Sequence, residues 1–140
     1  MKYVRSVFAL VALLGTIGCQ PPPPDLTPDA QAAFQATRVV MVLDVVRDAA
    51  IAAHDQVPPL MTTNDTRSVV LWHKTAVQTI RAVPIGWKPT VMAGLYALTC
   101  DARVLVQTAP QPCVAQLAPA AVQRLTSYVG LVAVILAEMK

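Results

Sequence analysis

Two histidines and a row of aspartates are the side chains in this chain best equipped to move protons. The imidazoles stand at His54-Asp55 and Trp72-His73, and Asp44, Asp48 and Asp55 recur at intervals of four and seven, near one face of any helix they share. Acid–base catalysis would require one of these groups to meet a nucleophile or a second titratable group in a cleft. The sequence supplies no such neighbour. Ser68 and Ser127 fall in helical patterns without a Gly-x-Ser-x-Gly elbow, and the histidines are not spaced with the cysteines as zinc ligands would be. Beyond the N-terminal stretch the glycines are Gly86, Gly94 and Gly130, too scattered for a phosphate loop. These residues predict boundary histidines and a solvated or ion-paired acidic ridge, in a protein that is not an enzyme and uses no metal or cofactor.

The most specific pattern lies in residues 1–24. Lys2 and Arg5 form a basic start, residues 7–17 an apolar run broken at Gly15 and Thr16, and Gly18-Cys19 a small residue before cysteine. Gln20 then leads into Pro21, Pro22, Pro23 and Pro24. The apolar run is about a dozen residues where a membrane span needs about 20, so length argues against an uncleaved anchor. The stretch resembles the export signal of bacterial or phage-encoded lipoprotein precursors, with Thr16-Ile17-Gly18-Cys19 in the lipobox and Thr16 where leucine or valine is usual. The resemblance implies removal of residues 1–18, acylation of Cys19, a Pro-rich tether over 19–28 and a domain over 29–140. Cleavage after Gly18 by an ordinary secretory peptidase would leave the same N-terminus without lipid. In such precursors an aspartate after the cysteine marks inner-membrane retention. Gln20 therefore implies the outer membrane, facing the periplasm, if the host is Gram-negative. Export also bears on the other two cysteines: as an even pair in an oxidising compartment, Cys100 and Cys113 are expected to form a disulfide. A metal pair is the alternative, and it lacks further ligands nearby.

The chain carries 11 Lys+Arg against 8 Asp+Glu, but Lys2 and Arg5 would leave with the signal and take most of the +3 excess with them. No nucleic-acid partner is implied by so small a remainder. Pro58, Pro59, Pro84, Pro89, Pro110, Pro112 and Pro119 then cut the domain into four apolar-periodic segments.

The first segment, residues 27–56, opens with Thr27, Pro28 and Asp29, all suited to a helix start. It carries Val39, Leu43, Val46 and Ala50 on one face and Phe34, Met41, Val45 and Ala52 on another, so it should touch two neighbours, or one neighbour and a partner. The second, 65–83, repeats Val69, Trp72, Ala76, Ile80 and Val83 after a cap at Asn64-Asp65-Thr66. In the third, 89–106, Val91, Leu95, Leu98, Ala102 and Leu105 form the stripe, Trp87 and Met92 a hydrophobic staple, and Gly94 a point of close approach. The fourth, 119–139, shows Val122, Leu125, Val129, Val132 and Leu136. Four amphipathic helices with short connections predict an all-α, up-down four-helix bundle.

The first connection sets the expected register, with residue numbers totalling about 122 lying level. Asp55 should meet Arg67, Asp48 Lys74, and Asp44 should lie near Arg81. Late in the fourth segment Leu131 and Ile135 continue the line of Arg124, so a polar face turns apolar. They are the candidate surface for an envelope protein, a second copy or the membrane. The expectation is an exported, lipid-anchored helical protein acting by contact in the cell envelope without catalysis. The alternative is a binding module that holds a small apolar ligand among its Val, Leu and Met side chains.

Overall fold

Thr27 begins the first helix as its sequence requires. Its hydroxyl accepts a hydrogen bond from Ala30 N at 3.3 Å, Pro28 sits where a missing N–H costs nothing, and Asp29 faces the positive end of the helix dipole. The structure, a computed structural model, describes residues 25–83, 85–104 and 112–138. Helix α1 is Pro28–His54, α2 Thr63–Ala82, α3 Lys88–Thr99 and α4 Pro119–Glu138, with a 3₁₀ turn at Ala102–Val104. Among the described residues there is no strand, and the fold is all-α.

Helix α1 packs on α2 and α4, α2 also packs on α3, and the 3₁₀ turn bridges α3 and α4, so the four helices close into a ring. Their ends fix an up-down order. His54 meets Thr63 across the first connection, the Lys88 ammonium at the start of α3 donates to Leu136 O at the end of α4, and Ala118 at the start of α4 meets Asp65 at the start of α2. The interior is one continuous cluster in which Leu43, Ile80, Leu95 and Leu136 are less than 2 % exposed or nearly so. The expected stripes point inward along most of their length, but Val83 at the end of the second is exposed, and in α4 Ala121 is more deeply buried than Val122. The Gly94 expectation holds in a specific form. The Trp72 indole lies on it so closely that a Cβ there would fall 2.9 Å from Trp72 Cδ1. Its Nε1 donates to Val91 O at 3.4 Å.

Two helix ends and one register depart from the sequence expectation. Helix α2 starts two residues earlier, because Thr62 rather than Asn64 is the cap. Helix α3 ends at Thr99, where Cys100 takes a left-handed φ of 54° and turns the chain toward its disulfide partner. The stripe beyond it is broken accordingly: Ala102 is exposed, Val104 is buried, and Leu105 lies outside the described residues. The register of α1 and α2 also shifts. His54 with Thr63 and Asp44 with His73 both total 117, so the acids meet histidine and a neighbouring arginine instead of Arg67, Lys74 and Arg81.

The polar group on which the ring closes is Asp65, 7 % exposed. Its Oδ2 accepts from the Thr62 hydroxyl at 2.7 Å, its N–H donates back to Thr62 Oγ1 at 3.1 Å, and its Oδ1 accepts from Ala118 N at 3.0 Å. One carboxylate thus serves the positive ends of α2 and α4 together. Asp65→Ala should lower unfolding free energy by about 2–3 kcal/mol, because it removes a cap and leaves a partly buried N–H unpaired. Urea denaturation followed by circular dichroism measures this, and a loss within experimental error would mean that the bundle closes without Asp65.

Candidate functional site

Cys100 and Cys113 form a disulfide, with Cα atoms 5.7 Å apart. The chain around them shows how the sequence builds it. Thr99 Oγ1 donates to Leu95 O at 2.9 Å and accepts from Asp101 N at 3.3 Å, so one hydroxyl ends the helix and starts the turn. Beyond the bridge, Gln116 N and Leu117 N donate to Ala97 O and Leu98 O, which supplies partners to carbonyls that the end of α3 leaves open. Arg103 then ties the turn to α4. Its guanidinium grips the Asp101 carboxylate and donates to Thr126 O at 3.1 Å. It lies against Gly130 so closely that a Cβ there would fall 2.8 Å from its Nη1. Hydrogen bonding from Arg103 holds the Asp101 carboxyl below the usual carboxylate range, against a smaller opposing effect of burial. Sequence reasoning passed over this clasp, since Asp101, Arg103 and Gly130 carry no joint signal until α4 folds back onto the turn.

The imidazoles occupy two junctions between α1 and α2. His54 Nδ1 lies 3.0 Å from Asp55 Oδ1 and its Nε2 lies 3.2 Å from Thr63 Oγ1, spanning the connection. His73, 8 % exposed, places Nε2 2.7 Å from Asp44 Oδ1, which also receives Arg47 Nη1 at 3.0 Å. Arg47 Nε reaches Asp48 Oδ1 at 2.8 Å, so the acidic ridge is an ion-paired one. An imidazole does meet a carboxylate here, which is half of what acid–base catalysis needs. The Ser68 hydroxyl is turned to Asn64 O at 3.0 Å, within its own helix. The His73–Asp44 pair joins α1 to α2. Among the described residues no group of three His, Cys, Asp or Glu side chains is placed to hold a metal ion.

Of the candidate surface, Leu131 is 40 % exposed and Ile135 half-buried, with Val134 exposed between them. Residues Pro119–Ala137 of α4 are long and apolar enough to cross a membrane, by length and composition alone. In the fold, this helix buries Leu125, Val129, Val132 and Leu136 against its neighbours. The proposed lipidation site, Cys19, lies outside the described residues. Comparison of the chain with protein-family models, with curated proteins and with solved structures gives no match.

Replacing Cys100 and Cys113 together by alanine should cost about 3 kcal/mol, the chain-entropy value for a loop of this length, read from the shift of the urea midpoint. An unchanged midpoint would mean that the bridge constrains nothing the helices do not already hold. Asp101 adds a pH signature. Its folded-state pKa is depressed, so its contribution is present above the usual carboxylate range and lost as pH falls through the lower folded value. Asp101→Asn should thus be less stable than the native chain at neutral pH, with the difference closing in acid. A difference that persists unchanged at low pH would assign the effect to packing instead of charge.

Proposed function

We propose that this chain is an exported lipoprotein, held at the membrane through acyl chains on Cys19, whose helical bundle acts by contact in the cell envelope and without catalysis. The observation that carries the proposal is the Cys100–Cys113 disulfide, because such bridges form and persist in oxidising compartments and are rare in reducing ones. It agrees with the basic, apolar and Gly18-Cys19 pattern at the N-terminus. The interior adds support of a second kind: Leu43, Leu95 and Leu136 belong to one continuous apolar cluster, which holds the helices together as a body that can present an outer surface. With Gln20 after the cysteine, the address in a Gram-negative host is the outer membrane, facing the periplasm. Labelling with palmitate in an exporting host should mark the native chain and spare Cys19→Ala. Label that persists in the variant would remove Cys19 as the anchor, and an unlabelled native chain in the periplasmic fraction would point to ordinary secretion after Gly18.

A further inference from the structure

Helix α1 carries a second line of side chains that the core does not use. Val39, Leu43, Val46 and Ala50 face inward, and the bond from Asp44 to His73 marks the flank turned to α2. Opposite the core, at alternating intervals of four and three, the helical repeat sets Phe34, Arg38, Met41, Val45, Asp48 and Ala52 in one row. Met41 is 47 % exposed and Ala52 is exposed, while Phe34 and Val45 are half-buried. The outward row of α2, with Arg67, Leu71, Lys74 and Gln78, is mostly polar, as a solvent face usually is. The row on α1 instead has the heptad spacing of a helix that pairs with another helix.

The row is complementary to itself when a second copy runs antiparallel. With residue numbers totalling 86 placed level, Phe34 meets Ala52 of the second copy, Arg38 meets its Asp48, and Met41 meets its Val45, and the two-fold axis beside Leu43 repeats each pair. A large ring thus faces a small methyl, a cation faces an anion, and two apolar side chains face each other. Moving one heptad in either direction removes the match, because Met41 would then face Arg38, or Val45 would face Asp48. A parallel pair fares worse, setting arginine against arginine and aspartate against aspartate. Beside the row Gln31 falls level with Asp55 and Thr37 with Ala49, so like charges do not meet there either. Arg38 keeps its position 5.9 Å above the Phe34 ring and Asp48 its bond to Arg47. The pairing asks only that unlike charges, and not like ones, stand across the seam.

We infer that the outward row of α1 is a self-association surface, on which a second copy of this chain docks antiparallel through the same row. Pairing covers Met41 and Val45, apolar surface that the fold of one copy leaves in water. Six side chains from each copy make a small interface, of the class that binds transiently, so the paired fraction depends on concentration. Acylation of Cys19 is not required for it.

Sedimentation velocity of the full-length chain, as an exporting host produces it and extracted in mild detergent, provides the test over about a hundredfold range of concentration. A reversible shift from one copy to two is expected as concentration rises. Met41→Asp should weaken the association about a hundredfold, since two-fold symmetry sets the new carboxylate against Val45 of the second copy twice. Leu71→Asp, on the outward row of α2, should leave it unchanged. Asp48→Arg should weaken it about tenfold, and Arg38→Asp combined with Asp48→Arg should restore it to within about twofold. Circular dichroism establishes the helical fold of each variant, and the response of the unsubstituted chain to concentration is read without any of them. A chain that stays single at the highest concentration overturns the inference. Association that Leu71→Asp disturbs as much as Met41→Asp, or that neither disturbs, belongs to another surface and likewise overturns it. A charge exchange that fails to restore pairing overturns the antiparallel register.

Discussion

A single carboxylate, Asp65, holds two helix beginnings in place, and the closure of the ring depends on it. Burying an ionised group is costly unless its lone pairs are satisfied, and here the Thr62 hydroxyl, the Ala118 amide and the dipoles of two helices satisfy it. The first of these contacts is local and sets where α2 starts. The second crosses from residue 65 to residue 118 and sets where α4 starts. Hydrophobic burial pulls α4 onto the core whatever its precise height, since the stripe of Leu125, Val129, Val132 and Leu136 offers similar area one turn up or down. The directional bond to Asp65 distinguishes among these positions.

The ring is less regular on its far side. Helix α3 has 12 residues where α2 and α4 have 20, and the space it leaves is filled by the 3₁₀ turn, with Val104 wholly buried. The disulfide and the Asp101–Arg103 clasp belong to this repair, one fixing the turn to the returning chain and the other fixing it to α4. Two glycines make the arrangement possible at opposite ends of the same problem: Gly94 admits the Trp72 indole between α2 and α3, and Gly130 admits the Arg103 guanidinium against α4.

The existence, order and inward faces of the four helices were legible in the sequence, because apolar spacing and proline placement speak directly to local structure and burial. The cysteine pair was legible too, once the N-terminal pattern suggested an oxidising compartment. Relations between elements were harder to read. The Asp44, Asp48 and Asp55 ridge was visible, but its partners were assigned from a register five residues off, since a loop's length fixes direction more tightly than height. His73 was passed over as a partner because a lone histidine gives no sign of facing a carboxylate until two helices are aligned. Thr62-x-x-Asp65 was the one local signal available and missed, a reciprocal cap obscured by the equally plausible Asn64 beside it.

The unequal lengths of the helices carry a mechanical consequence. With 27 residues, α1 outruns its partners, and its first fully buried side chain is Val39, with Ala36 only partly buried against the core before it. A load applied at Pro28 along the axis of α1 would therefore shear it against α2 and α4 instead of peeling it away. In shear, the interdigitated stripe and the His73–Asp44 staple bear the force together, where peeling would break them one at a time. An axial pull would thus meet the bundle in the direction in which it is hardest to take apart.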